Sequence, residues 1–334
     1  MKTLAWLLFS VAALAASAPG YKVLGKIKIG GQGGWDYVYV DSAGRRLYVS
    51  HTNQVEVVDL DSEKVVGTIP DTTGVHGIAV ADDLGRGFTS NGRANDVTIF
   101  DLKTLKVISR VKTGENPDSI IYDPVSKKVF TFNGRSKDSS VIDPKSGEVV
   151  ATIPLGGKPE FAQVDGKGHI YVNNEDSGEL IEIDAKKDAV IKRVKMDGCE
   201  SPSGLAIDAK KRRLFAACGG SKTMAVVDPD AGKVLATPPI GQGTDGAAFD
   251  SGFAFSSNGR DGTITVVGEV SPGKYDVVET VPTQVSARTI AADPKTHKLY
   301  LPAAELGAAT EMKDGKKGRP QIIPDSFAIV VVGR

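Results

Sequence analysis

A unit of about 42 residues returns seven times along this 334-residue chain, most visibly through one aspartate per copy. The segments at 36–41, 76–81, 118–123, 160–165, 203–208, 245–250 and 288–293 align without a gap, and all end in Asp except the second, which ends in Ala81. Each is followed by a second apolar run (RRLYVS, GRGFTS, KKVFTF, GHIYVN, RRLFAA, SGFAFS, HKLYLP). A third run mostly ends in Asp, at Asp59, Asp101, Asp143, Asp184 and Asp228, and a fourth closes the unit, as in KVVGTIP and EVVATIPLG. A fixed period of this length limits the fold to architectures that stack one small unit against its own copies.

The runs are short, rich in Val, Ile, Tyr, Phe and Thr, and punctuated by Gly, Asp, Asn and Pro, so each reads as a strand. No window keeps a helical period over the ten or so residues a helix needs. Four strands per repeat predict an all-β, seven-bladed β-propeller with four antiparallel strands per blade. The seventh unit lacks its fourth strand, because Arg334 follows soon after FAIVVV. Residues 21–30 look like a fourth strand without a blade. They are expected to pair with residues 327–332 and close the ring, leaving no open sheet edge there.

The second runs carry the further signal. Tyr171-Val-Asn-Asn174, Phe88-Thr-Ser-Asn91 and Phe130-Thr-Phe-Asn133 are its nearest copies, with looser ones at Tyr48 to His51 and Phe255 to Asn258. With the Asp-ended third strand and the Thr-containing fourth, the chain resembles the YVTN, or YncE-like, family of seven-bladed propellers over nearly all of residues 21–334. The resemblance implies the fold. It assigns no activity, because propellers host binding proteins, hydrolases, lyases and dehydrogenases alike.

Forty-one basic and forty-one acidic residues cancel, with no long block of either sign. That argues against nucleic-acid binding through a broad cationic face. Residues 1–18 read as a signal peptide, with cleavage after Ala15 or Ala18. Its apolar stretch, 4–16, is too short to span a bilayer, so a periplasmic or secreted chain without a transmembrane segment is expected. An uncleaved signal anchor is the alternative. Residues 19–334 then form one propeller, and a closed ring has no edge that compels association, so a monomer is expected. Cys199 and Cys218 flank the first two strands of blade five on one rim. A disulfide suits that position in an oxidising compartment; free thiols or a functional pair are the other readings.

The residue entering the first strand of each blade should point into the mouth of the central channel. These are Asp36, His76, Asp118, Glu160, Ser203, Asp245 and Arg288. Carboxylates converging from several blades suit a hard cation such as Ca²⁺, and His76 extends the choice to Mn²⁺ or Zn²⁺, with Asp36, His76, Asp118, Glu160 and Asp245 as candidate ligands. A hydrated mouth with Arg288 paired to Glu160 or Asp245 needs no ion. An outer ring on the same rim comprises His51, Asn91, Asn133, Asn174, Cys218, Asn258 and Ala303. Three of its turns read Asn-Gly-Arg, ending in Arg93, Arg135 and Arg260. Asn-Gly favours a tight turn without demanding the arginine. The arginines are expected to pair with Asp118 and Asp245, or else to bind carboxylate or phosphate groups.

Two places break the pattern. Residues 303–326 form a long insertion in blade seven, charged and Gly-punctuated at its centre, that is expected to lie partly over the mouth with Glu305 near the inner ring. The glycine cluster at 30–34 precedes no helix, so it is a crossing between strands and not a phosphate loop. There is no nucleophile elbow, metalloprotease helix, zinc-ligand spacing or haem motif. His169 and His297 read as solvated. Three functions remain open: a non-catalytic binding or scaffold propeller holding a small ligand or partner protein at the rim; a metal-dependent hydrolase or lyase, lactonase-like, with its site at the mouth; and a propeller subunit of a periplasmic redox system.

Overall fold

The computed structural model describes residues 18–311 and 317–334. The signal-peptide reading therefore lies, but for Ala18, outside the described residues, as does the centre of the blade-seven insertion. Among the described residues there is no α-helix; one 3-10 turn at Asp82–Leu84 is the sole helical element. Among these residues no helix is long and apolar enough to cross a membrane.

Seven four-stranded antiparallel sheets form the blades of a β-propeller. Blade one shows the pattern: Val38–Asp41, Arg46–His51, Gln54–Asp59 and Lys64–Ile69 pair in sequence order from the channel outwards. Its second and third strands are almost wholly buried, while its outermost strand exposes Val65 and Val66. The repeat aspartates tie the turns. Asp41 accepts from Gly44 N at 2.7 Å, Asp59 from Ser62 N at 2.7 Å and Asp101 from Thr104 N at 2.7 Å. Asp recurs at these places because its short carboxylate satisfies the turn's own amides.

Blade seven is assembled from both chain ends. Ala291–Asp293, Lys298–Ala303 and Ala328–Gly333 supply three strands, and Lys22–Lys28 adds the fourth, with Lys22 opposite Gly333 and Lys28 opposite Ala328. The strand expected to close the ring does so.

The core is divided among the gaps between neighbouring blades, one apolar cluster to each. Between blades seven and one, Tyr300, Ile329 and Val331 meet Leu47, Val49 and Val58, with Trp35 stacked on Phe327 at 5.1 Å. Burying side chains of this size contributes on the order of 1.5–3 kcal/mol each. Cys199 and Cys218 are joined in a disulfide, with Cα atoms 5.2 Å apart.

Polar contacts add to the same seam. Arg45 of blade one donates to Asp293 of blade seven at 2.7 Å, and Ser42 and Thr296 donate to the same carboxylate at 2.5 and 2.7 Å. Burial opposes the charge, yet these donors hold the Asp293 pKa down at about 2. A depressed carboxylate lends stability that is complete above its unfolded pKa, about 4, and is lost as pH falls through the folded value. Thermal melts should show the wild type losing stability from pH 4 towards pH 2 more steeply than Asp293→Asn. At pH 7 the variant should be less stable by roughly 2 kcal/mol; equal melting temperatures would rule out a closing role for this contact.

Candidate functional site

The innermost strands deliver the mouth residues through a local irregularity. In blades two to six, pairing with the second strand slips near the start of the first: between Val75 and Ile78, Pro117 and Ile120, Pro159 and Ala162, Pro202 and Leu205, and Thr244 and Gly246. His76, Asp118, Glu160, Ser203 and Asp245 lie in those slips. Such a bulge bends the strand and re-aims a side chain, but it leaves backbone groups unpaired. Small polar residues of the second strands take these up. Ser90 Oγ accepts from Gly77 N at 2.8 Å and donates to the Asp118 carbonyl in the next blade. Asn173 donates to the carbonyls of Ser203 and Gly204, and Ser257 to that of Arg288 at 2.5 Å. Sequence reasoning missed these residues. Their only signal is a Ser or Asn just before the last residue of the second strand.

The mouth residues converge. His76 Nδ1 lies 2.5 Å from Asp36 Oδ2 and 3.8 Å from Asp118 Oδ1. Arg288 donates to Asp245 Oδ2 at 3.0 Å and to Asp36 Oδ1 at 3.4 Å, and its guanidinium sits over Trp35. Of the two partners expected for Arg288, Asp245 is the one it takes. Glu160 instead contacts Lys158, which also reaches Glu175 at 2.6 Å. Ser203 makes blade five the uncharged position.

Crowding shifts the titrations. Burial works against a charged His76, but Asp36 and Asp118 on either side raise its pKa to about 9. Burial, with neighbouring acids, raises Asp118 and Asp245 to about 6, against the opposing pull of His76 and Arg288 respectively. Glu160 is pushed up by burial and by Asp118. Directly after Asp36 and Glu160 in sequence come Tyr37 and Phe161. Their rings meet edge to face, centroids 5.0 Å apart, from blades one and four across the axis. The cavity they help line, about 360 Å³, continues along the aliphatic faces of the innermost strands.

The outer ring differs from expectation. Asn91, Asn133 and Asn258 are buried and bond within their own blades, to Asp96 and Thr98, Asp138 and Ser140, and Thr263 and Thr265. Asn174 is buried too, reaching the Leu155 carbonyl. His51 is withdrawn from the rim: its ring packs on Phe327 and under Gly31, with Nδ1 3.3 Å from Glu56. Arg93, Arg135 and Arg260 do not pair with Asp118 or Asp245. All three are exposed and form no ion pair among the described residues, and the stems of Arg93 and Arg260 lie over Gly74 and Gly243. A β-carbon would collide there, and both glycines have positive φ, at 69° and 74°. His169 and His297 face Glu182 and Asp250 at 2.7 and 3.0 Å on the partly open surface.

The blade-seven insertion contains a two-stranded ribbon, Leu306–Glu311 with Lys317–Ile322. Its base is held beside the glycine crossing, where Asp325 and Gly31 exchange two bonds near 3 Å, and Ile322 packs on the seven–one core. Glu305 is exposed; its backbone bonds to Ser326 and Ile323, and no ion pair ties it to the inner ring among the described residues.

The sequence profile of the cytochrome D1 heme domain family matches residues 46–250, well over half of the chain. The chain belongs to the cytochrome D1 heme domain family. Solved propellers agree on the fold. A chain of Kuenenia stuttgartiensis hydrazine synthase matches with a TM-score of 0.68 at 17% identity, covering 80% of this chain and 92% of that one. U3-55K matches with a TM-score of 0.75 at 10% identity over 94% of this chain and 99% of its own, and the WD40 repeats of RRP9 with 0.75 at 10% over 96% and 99%. Comparison with curated protein sequences returns no significant match.

The mouth is a poor match for the haem after which the family is named. A haem needs an axial ligand facing a flat apolar slot. His76, the one imidazole in the ring, has Nδ1 on Asp36, and its Nε2 lies so near Gly92 that a β-carbon there would be 2.6 Å away. Carboxylates surround it, and Tyr37 and Phe161 beside it meet edge to face, not as the parallel walls of a flat slot. These residues do not fit a haem.

Arg288 is the group that lets Asp36 and Asp245 sit together, so Arg288→Met should lower the melting temperature. Without its cation the Asp245 pKa rises further above 6, and a raised carboxylate loses stability as pH climbs through that value. The deficit against wild type should therefore widen from pH 5 to pH 8; a constant deficit in paired melts would show that only packing was lost.

Proposed function

We propose that this member of the cytochrome D1 heme domain family is an exported, non-catalytic binding propeller of a redox system that holds a ligand or partner protein at its charged mouth. The observation that carries the reading is the convergence of ionisable side chains from six blades, Asp36, His76, Asp118, Lys158 with Glu160, Asp245 and Arg288, on one opening. Burying so many charges is costly for a structural plug, which apolar residues would form better. The redox setting is supported by the family and by the likeness to a hydrazine synthase chain. Export is supported by the signal-peptide pattern of residues 1–18 and by the Cys199–Cys218 bond, which persists in oxidising compartments. Within the family we place the chain with the YVTN-type propellers, on the strength of its second-strand motifs.

A second reading, a metal-dependent hydrolase or lyase, draws on one arrangement, the imidazole of His76 between two carboxylates. Immobilised mature wild type and an Arg288→Met/Lys158→Met variant, offered the same envelope extract of the source organism, separate the two. A redox protein retained by the wild type and lost by the variant is the expected result. Equal retention on both columns, or hydrolysis of lactones and esters that only the wild type performs, would overturn the binding reading.

A further inference from the structure

We propose that Asp36, His76 and Asp118 form a binding site for a single divalent first-row transition ion at the channel mouth. The inference deepens the reading of the mouth as a ligand site, although it does not depend on which partner docks there. One donor atom from each residue, a ring nitrogen of His76 and one oxygen of each carboxylate, falls within 4.8 Å of the other two. The three come from three successive blades, His76 and Asp118 from innermost strands and Asp36 from just before one, so the ring sets their spacing.

Asp118 supplies the second, independent observation. It is only 9% exposed, and its Oδ1 is buried without any hydrogen-bond partner while lying 3.8 Å from His76 Nδ1. A buried carboxylate oxygen left unpartnered costs free energy, and such oxygens are rare in folded proteins unless something satisfies them. An ion between the three groups would do so. Tetrahedral ion–donor bonds of about 2.0–2.2 Å place neighbouring donors roughly 3.4 Å apart. The 2.5 Å contact between His76 and Asp36 then has to open by about 0.9 Å, and the 3.8 Å gap to Asp118 to close by about 0.4 Å.

The surroundings suit the task. Arg288 contacts the far oxygen of Asp36 at 3.4 Å and so orients that carboxylate, as groups behind metal ligands commonly do. His76 keeps 28% of its side chain exposed and Asp36 16%, which leaves the outward side open to water or a ligand group. One imidazole nitrogen and two carboxylate oxygens select Zn²⁺ or Mn²⁺ over Ca²⁺, which takes six or more oxygens. Zn²⁺ should bind the more tightly of the two.

Calorimetric titration of the metal-stripped mature chain with ZnCl₂, then MnCl₂ and CaCl₂, tests the site. One Zn²⁺ per chain is expected, weaker Mn²⁺ and weaker still Ca²⁺. Asp118→Asn and His76→Gln should each weaken Zn²⁺ by at least about 100-fold, whereas His169→Gln, a surface imidazole beside a carboxylate, should leave it unchanged. Absence of stoichiometric Zn²⁺ binding, or binding that survives both mouth variants or disappears with His169→Gln, overturns the proposal. Should a mouth variant fail to fold, imidazole nitrogen NMR of the wild type gives the same decision. Zn²⁺ must shift the His76 Nδ1 resonance, and a shift confined to His51, His169 or His297 refutes the site. Because neither readout involves a partner protein, a failed pull-down and a missing metal remain separate outcomes.

Discussion

Every blade in this molecule is stable only because it has a neighbour on each face, and that makes closure of the ring the constraint behind everything else. A lone four-stranded sheet with two apolar faces cannot hide them; seven in a circle can, each gap becoming one compact cluster. The last gap is the difficult one. It is secured by pairing Lys22–Lys28 with Ala328–Gly333, so the two chain ends share one sheet and neither strand can leave without breaking the backbone bonds between them. Arg45 and Asp293, Arg288 and Trp35, and Asp325 and Gly31 all fall along this seam. Several polar contacts thus reinforce the gap where the chain, having closed blade seven with Lys22–Lys28, crosses into blade one.

Closure also explains how the mouth can carry so much charge. Strands running side by side along a narrow axis bring their leading residues within a few ångströms, and the bulges aim those residues at one another. The scaffold's apolar gaps supply the stability against which the crowding of Asp36, Asp118, Glu160 and Asp245 is set. The result is a set of ion pairs in which His76, Asp118 and Asp245 all titrate above their ordinary ranges.

Much of this was legible in the sequence because repetition reports on local physics. Strand alternation, the aspartates that satisfy their own turns, and the unmatched strand at 21–30 all involve contacts within a blade or a simple count of strands. The mouth ring was legible for the same reason, since equivalent positions in a ring must face a common axis. What the sequence hid are contacts between blades. Arg288 choosing Asp36 and Asp245, and Ser90 reaching the backbone of Asp118, depend on the angle between blades, which no single repeat encodes. His51 looked like a rim residue because its repeat position is one, yet the Phe327 and Gly31 packed around it belong to the closing seam, where the repeat pattern ends. The Asn-Gly-Arg arginines show the opposite error. Their turn was readable, but a flexible exposed side chain has no partner that a turn can specify.

The crossed rings of Tyr37 and Phe161 divide the axis into two compartments of opposite character, polar above and aliphatic below. A ligand held among the carboxylates would therefore rest on an aromatic floor, and a partner docked on that face would cover it.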